Sequence, residues 1–317
     1  MNFTANQAYE LCDWLDTQPK YPPTSAPTGW KPAFVPTFFD RDYAVVLEST
    51  SDSDQLAVVI MGTHDVSQML QDTHISDPGP FVNSSGGTII AGAEVANGAS
   101  AAFTKVLKLR QLPHLETLKE YLEHKAKSKG LNVLVAGHSL GGTTASLFAP
   151  WLASVMLKQT PLTVPLPPAI QAVTFAAFAA GNQAFATYLN GSTQYQPNIN
   201  VNDIVPYVWA TTGSYQVSSV YTSFASPGPP MPESLQKKLK KKVGTIPKGF
   251  NYIQTNEPST FTGTILPAPS FSTCGLSREK LQEHQWFWEV SLQHNYAYCV
   301  QFLNSNCTLP SSDCPKS

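Results

Sequence analysis

Gly137-His138-Ser139-Leu140-Gly141 is the stretch on which the reading of this chain turns. A serine framed by glycines in the pattern G-x-S-x-G fits a sharp passage from a strand into a helix, where a side chain at either glycine would strike neighbouring backbone. The flanks agree: residues 131–136 (LNVLVA) form a buried-strand run, and residues 143–149 (TTASLFA) begin a helix of small residues. Such a turn strains the serine and directs its hydroxyl outward.

A serine hydroxyl is a poor nucleophile at neutral pH, so it needs an imidazole to take its proton and a carboxylate to hold that imidazole in the right tautomer. With this turn the chain order is serine, acid, histidine. Asp203 is the one aspartate between Ser139 and the last histidine, and it follows a strand candidate at residues 198–201. Glu233, Glu257, Glu279, Glu283 and Glu289 fall in loop-like or helical stretches and are less well placed. Of the two histidines beyond Asp203, His284 lies in a polar helical stretch. His294 stands where an apolar segment meets a helix expected to start near Asn295 as N-cap, and is the expected base. His138 is expected to point away from the attacking oxygen. Two donors must meet an oxyanion formed by attack. The expected pair is the backbone N–H of Leu140 and Thr63, which closes the strand run Val58-Val59-Ile60-Met61-Gly62-Thr63. This chemistry requires no cofactor and no metal, and the spacing of Cys12, Cys274, Cys299, Cys307 and Cys314 matches no zinc pattern.

Outward from the motif, strands alternate with helices, which implies a mainly parallel sheet flanked by helices. Residues 43–48 and 56–61 are apolar, β-branched runs joined by a turn-like Ser/Thr/Asp segment, and are expected to enter the sheet as a hairpin. Residues 91–129 are rich in Ala, Leu and Lys and predict two helices in tandem, ending at Gly130. Further strands are expected at 172–178 and 198–201. Six prolines within residues 19–36 exclude helix and central strand there. The expectation is one domain over residues 1–317, with residues 1–39 as a Pro-rich wrapper and 304–317 as a tail.

Composition narrows the possible partners. A net charge of −2, with 42% hydrophobic and 13% charged residues, suits a large core under a weakly charged surface and disfavours nucleic-acid binding. The run Lys237, Lys238, Lys240, Lys241 and Lys242 is read as a solvated helix face, with contact to anionic lipid headgroups as the alternative. The longest uncharged stretch, 131–157, is broken by Gly137, Gly141, Gly142 and Pro150, so no transmembrane segment is expected. The N-terminus lacks the basic start and apolar run of an export signal, which leaves cellular location open. Cys307 and Cys314 lie close enough along the tail to bridge, with two free thiols as the alternative.

Over residues 40–303 the chain resembles the class 3, fungal-type triacylglycerol lipases of the α/β-hydrolase fold. The likeness rests on residues 137–142 (GHSLGG), 174–189 (TFAAFAAGNQAFATYL), 202–206 (NDIVP), and His294 with Tyr298. The family's oxyanion segment usually reads Phe-Arg-Gly-Ser/Thr, whereas here it is Ile60-Met61-Gly62-Thr63. A second family arginine is replaced within residues 176–180, which marks a divergent branch, so the resemblance carries the three catalytic residues and not the substrate details. The resemblance implies a lipid or ester substrate, transient contact with a lipid surface, and a lid after the oxyanion strand. Residues 64–87 are the lid candidate, with Val66, Met69 and Leu70 as its apolar face. A feruloyl or short-acyl esterase, a phospholipase, or a non-catalytic lipid-binding homologue are the competing expectations.

Overall fold

The computed structural model describes residues 3–23, 25–38, 42–62, 75–82, 89–112, 115–127, 130–159, 170–210, 221, 228–254, 258–266, 268–269, 271, 274–304 and 307–313. In chain order the strands are β1 (Trp30–Phe34), β2 (Ala44–Ser49), β3 (Gln55–Ile60), β4 (Pro78–Val82), β5 (Ile89–Ala96), β6 (Arg110–Gln111), β7 (Glu116–Thr117), β8 (Asn132–His138), β9 (Ile170–Phe175), β10 (Gln194–Asn200) and β11 (Ser259–Phe261). The helices are α1 (Ala5–Asp16), α2 (Asn97–Leu107), α3 (Leu118–Lys125), α4 (Leu140–Gln159), α5 (Gln183–Ser192), α6 (Glu233–Val243), α7 (Arg278–Ser291) and α8 (Ala297–Leu303). A central sheet runs β1-β2-β3-β8-β9-β10-β11. The β1-β2 and β2-β3 pairs are antiparallel, and every pair from β3 to β11 is parallel. This is the α/β-hydrolase architecture.

Both faces of the sheet are covered, which is why its inner strands are apolar throughout instead of alternating. Val46, Val58, Val133 and Val135 face one core with Leu147, Phe148 and Trp151 of α4. Val45, Ala57, Val59, Leu134 and Ala136 face a second core with Ala8, Leu11 and Leu15 of α1 and Tyr298 of α8. Pro150 lies inside α4. Among the described residues only the window Leu140–Leu157 is long and apolar enough to cross a membrane, and 83% of it is buried within the protein.

Three expectations change. First, residues 89–96 form a strand where the Ala-rich composition suggested helix. The strand pairs antiparallel with β4, Ala93 and Val95 turn inward, Val95 bridges Gly181, and the Ala96 amide donates to the Ala180 carbonyl at 2.9 Å, so tertiary pairing overrides alanine's helix propensity. Second, Cys307 pairs with Cys299 and not with Cys314. Asn304, in left-handed backbone (φ 53°), ends α8 and folds the chain back, bringing the two Cα atoms to 5.7 Å. Cys274 is also disulfide-bonded, while Cys12 is a buried free thiol. Third, the segment read as a wrapper begins with α1, opened by a Thr4/Gln7 capping box and buried along Ala8, Leu11, Cys12 and Leu15. The prolines behind it are consistent with an edge position, since Pro32 lies in β1 at the margin of the sheet.

Because Leu15 is fully buried against the sheet, Leu15→Ala is expected to lower unfolding free energy by about 2–5 kcal/mol. Urea denaturation checks this. A loss under about 1 kcal/mol would mean that α1 lies on the domain as a detachable cover.

Candidate active site

β8 delivers the chain to Ser139 in left-handed backbone (φ 57°), and α4 departs with the next residue. A Cβ on Gly137 would strike the backbone of Gly141 and Gly142, and one on Gly141 would strike Ile60 and Met61. The glycines therefore let the first turn of α4 press against the end of β3. The Ser139 amide donates to the Phe175 carbonyl (2.8 Å) and its own carbonyl accepts from the Thr143 amide (3.0 Å), which fixes the turn from both sides.

Asp203 lies three residues beyond β10, its amide bonded to the Asn200 carbonyl at 2.9 Å. Its Oδ1 accepts from the Val205 amide (2.9 Å), while Oδ2 accepts from His294 Nδ1 (2.8 Å) and from the Tyr298 hydroxyl (3.3 Å). His294 Nε2 is 2.8 Å from Ser139 Oγ. A carboxylate oxygen only accepts, so Nδ1 carries the imidazole proton and Nε2 offers its lone pair to the serine O–H. All three side chains are fully buried. The structure thus joins Ser139, His294 and Asp203 in one hydrogen-bonded line.

His294 differs from expectation in its backbone. No new helix starts at Asn295. Instead α7 runs into α8 through a π-helical turn, Leu292–Tyr296, and the Asn295 side chain donates to Ser291 Oγ (3.2 Å) without capping anything. One extra residue in the turn reaims the side chains that follow. His284 takes no part: its ring meets Phe271 edge-on and its Nε2 is 3.3 Å from the Asp313 carbonyl. The Leu140 amide lies at the start of α4, where N–H groups have no partner within the helix. Thr63, Val66, Met69 and Leu70 lie outside the described residues. The lysine run forms α6, which buries no residue, and Lys237 pairs with Glu233 at 2.7 Å.

Several residues beyond the three named sit in the same buried region. Asn200 Nδ2 donates to the Gln293 carbonyl (2.9 Å) and to its Oε1 (2.8 Å), and Gln293 Nε2 donates to Glu289 Oε1 (2.9 Å). Glu289 is fully buried, and burial pushes its carboxyl up to about 7 against the opposing effect of the Gln293 bond. Its apolar neighbours Trp286, Trp288 and Val290 are the sequence signal for that burial. On the other side of His294, the His138 imidazole donates from Nε2 to the His294 carbonyl (2.7 Å). Burial, and then the adjacent His294, depress His138 to about 3, so it is neutral.

A family model described as lipase (class 3) matches residues 57–213. Among solved structures, M37 lipase is 22% identical and superposes with a TM-score of 0.69 over 87% of this chain and 79% of its own. A triacylglycerol lipase from Penicillium expansum is 21% identical over 59% of this chain and 68% of its own, with a TM-score of 0.45. A lipase from Rhizopus microsporus var. chinensis is 19% identical over 66% and 71%, with a TM-score of 0.47. No curated protein matches the chain.

Glu289 sets a pH dependence. Its folded value of about 7 exceeds the ordinary 4.5, so its contribution to stability is complete below pH 4.5 and is lost as pH rises through 7. That loss is on the order of 3 kcal/mol. Glu289→Gln keeps the acceptor for Gln293 and removes the titration. Its urea midpoint should gain on the wild type between pH 4.5 and 8, and equal slopes for both proteins would show an ordinary carboxyl.

Proposed function

The chain belongs to the class 3 lipase family, and from that premise we propose that it hydrolyses carboxylic esters of lipid by acyl transfer through Ser139. The observation that carries this reading is the line from Ser139 Oγ through His294 to Asp203, with both hydrogen bonds at 2.8 Å. Oγ attacks the ester carbonyl as its proton passes to His294 Nε2, and Asp203 stabilises the imidazolium. The oxyanion is received by the Leu140 N–H at the start of α4 and by Thr63. The imidazolium then gives its proton to the departing alcohol, leaving an acyl-serine. Water, deprotonated by His294, releases the acid and restores the hydroxyl.

Tyr298 supports the acid: its hydroxyl donates to Asp203 Oδ2 and accepts from the Asn200 amide (2.8 Å), so it orients the carboxylate without neutralising it. Triacylglycerol is the proposed substrate class on family grounds. Complete burial of Ser139 supports a cover that must move before an ester can reach Oγ. Within the 64–87 expectation, Pro78–Val82 is strand β4, paired with β5, and Ile75 and Phe81 are buried in the core, so the proposed cover is narrowed to residues 64–74 with Val66, Met69 and Leu70.

Ser139→Ala and His294→Ala are each expected to lower kcat on a nitrophenyl ester by at least about 10⁴-fold, and Asp203→Asn by about 10⁴-fold. His284→Ala should match the wild type. An organophosphate should label the wild type with one equivalent and leave Ser139→Ala unmodified, as mass spectrometry would show. Loss of activity in His284→Ala alone would reassign the base. A moving cover further predicts that the rate on a short-chain triglyceride jumps as the substrate passes its solubility limit. A smooth saturation curve through that limit would argue for a permanently open site.

A further inference from the structure

The bonds behind Ser139 converge on one carboxyl group that the proposed chemistry leaves without a role. Asp16, the last residue of α1, accepts the Gly62 amide on Oδ1 at 2.9 Å. Gly62 immediately precedes Thr63 and lies so tightly against β8 that a Cβ there would sit 2.8 Å from the His138 carbonyl oxygen. The other oxygen of Asp16, Oδ2, faces His138 Nδ1 at 3.7 Å. His138 in turn holds the backbone carbonyl of His294 through Nε2. One carboxyl therefore touches the oxyanion side of the site through Gly62 and the base side through His138.

The protonation pattern follows from these partners. The His294 carbonyl can only accept, so the His138 proton is on Nε2 and Nδ1 is a bare lone pair. A carboxylate facing that lone pair would set two acceptors against each other, whereas a carboxylic acid would place a donor between them. Other titratable groups that act on Asp16 or feel it are Tyr9, Cys12 and Asp13 on its own helix, Tyr21 after that helix and His138 on β8. None of these is a cation that would draw Asp16 into its charged form. Burial, with a smaller contribution from Asp13, raises the Asp16 carboxyl to about 7 despite the Gly62 bond, while His138 is depressed to about 3. Of the two facing groups, Asp16 is therefore the one that takes up a proton as pH falls through neutrality, while His138 stays neutral.

We propose that Asp16 is a positioning residue of the hydrolytic site: Oδ1 holds the Gly62 amide and Oδ2 stands across 3.7 Å from His138 Nδ1, so that in its protonated form it ties the oxyanion strand and the segment behind the base to the N-terminal helix. This rests on the reading of Ser139 and His294 given above. Asn is the isostere of the neutral acid, with a carbonyl for Gly62 and an N–H for His138, so Asp16→Asn and Asp16→Ala should part company. On a soluble nitrophenyl ester Asp16→Asn should keep kcat within about twofold, while Asp16→Ala should lose about 10–100-fold in kcat with KM within about twofold, as expected of a displaced reacting group. A second readout does not depend on the Ala variant folding. Asn cannot ionise, so the ratio of its kcat to the wild-type kcat should rise as pH is taken above about 7. Loss of activity in Asp16→Asn equal to that in a folded Asp16→Ala, or a ratio that stays flat from pH 6 to 9, overturns the proposal. Failure of the underlying hydrolase reading shows separately, as wild-type protein that takes up no organophosphate, and removes the proposal with it.

Discussion

The left-handed backbone of Ser139 is held by a three-way contact, and the rest of the site depends on that contact. Strand β8, the first turn of α4 and the end of β3 approach so closely that neither Gly137 nor Gly141 has room for a Cβ. A non-glycine residue in this conformation costs on the order of 1–3 kcal/mol, which persists only where its surroundings over-determine it. Here the surroundings are two apolar cores, one on each face of the sheet, and backbone bonds to Phe175 and Thr143. Relaxing the turn would draw the serine hydroxyl away from His294, so the strain and the hydrogen-bonded line are one feature seen from two sides.

The base is fixed by a different device. A helix that continued regularly from α7 into α8 would carry His294 on the usual ladder, but the π turn inserts a residue and shifts the register. The His294 carbonyl takes the His138 imidazole as a partner, and the neighbouring Gln293 side chain enters a network with Asn200 and Glu289. His294 is thereby clamped by its backbone and by its ring. Such a clamp suits a proton carrier that must return to the same place in every cycle.

Much of this was legible in the residues. A strand, the G-x-S-x-G turn and a small-residue helix follow one another in sequence, so local composition identifies the elbow around Ser139, and the chain order singles out Asp203 and His294. What composition could not supply was long-range contact. The pairing of Cys299 with Cys307 depends on a left-handed residue at Asn304, and the strand at Ile89–Ala96 is formed by antiparallel pairing with β4, with Val95 also bridging Gly181, 86 positions further on. The spacing of Ala8, Leu11, Cys12 and Leu15 was a readable amphipathic signal for α1, masked by the proline-rich stretch that follows it. Glu289 was set aside because it sits on a helix, yet a carboxyl flanked by Trp288 and Val290 faces the core, and there its meaning changes.

Two carboxyls lie near the His294 segment, Asp16 facing His138 and Glu289 bonded to Gln293, and burial raises both to about 7. Each makes the folded state less stable as pH climbs from the ordinary carboxylate range towards neutrality. At Glu289, which is fully buried, a chain selected for stability alone would carry an apolar group, since an ionisable group in a core is disfavoured whichever form it takes. The placement of the two carboxyls, one against the strand that precedes Thr63 and one against the network behind His294, is instead intelligible as support for a precise hydrogen-bond geometry. In this molecule polar groups stand where orientation matters, and the two apolar cores provide the stability that such placement gives up.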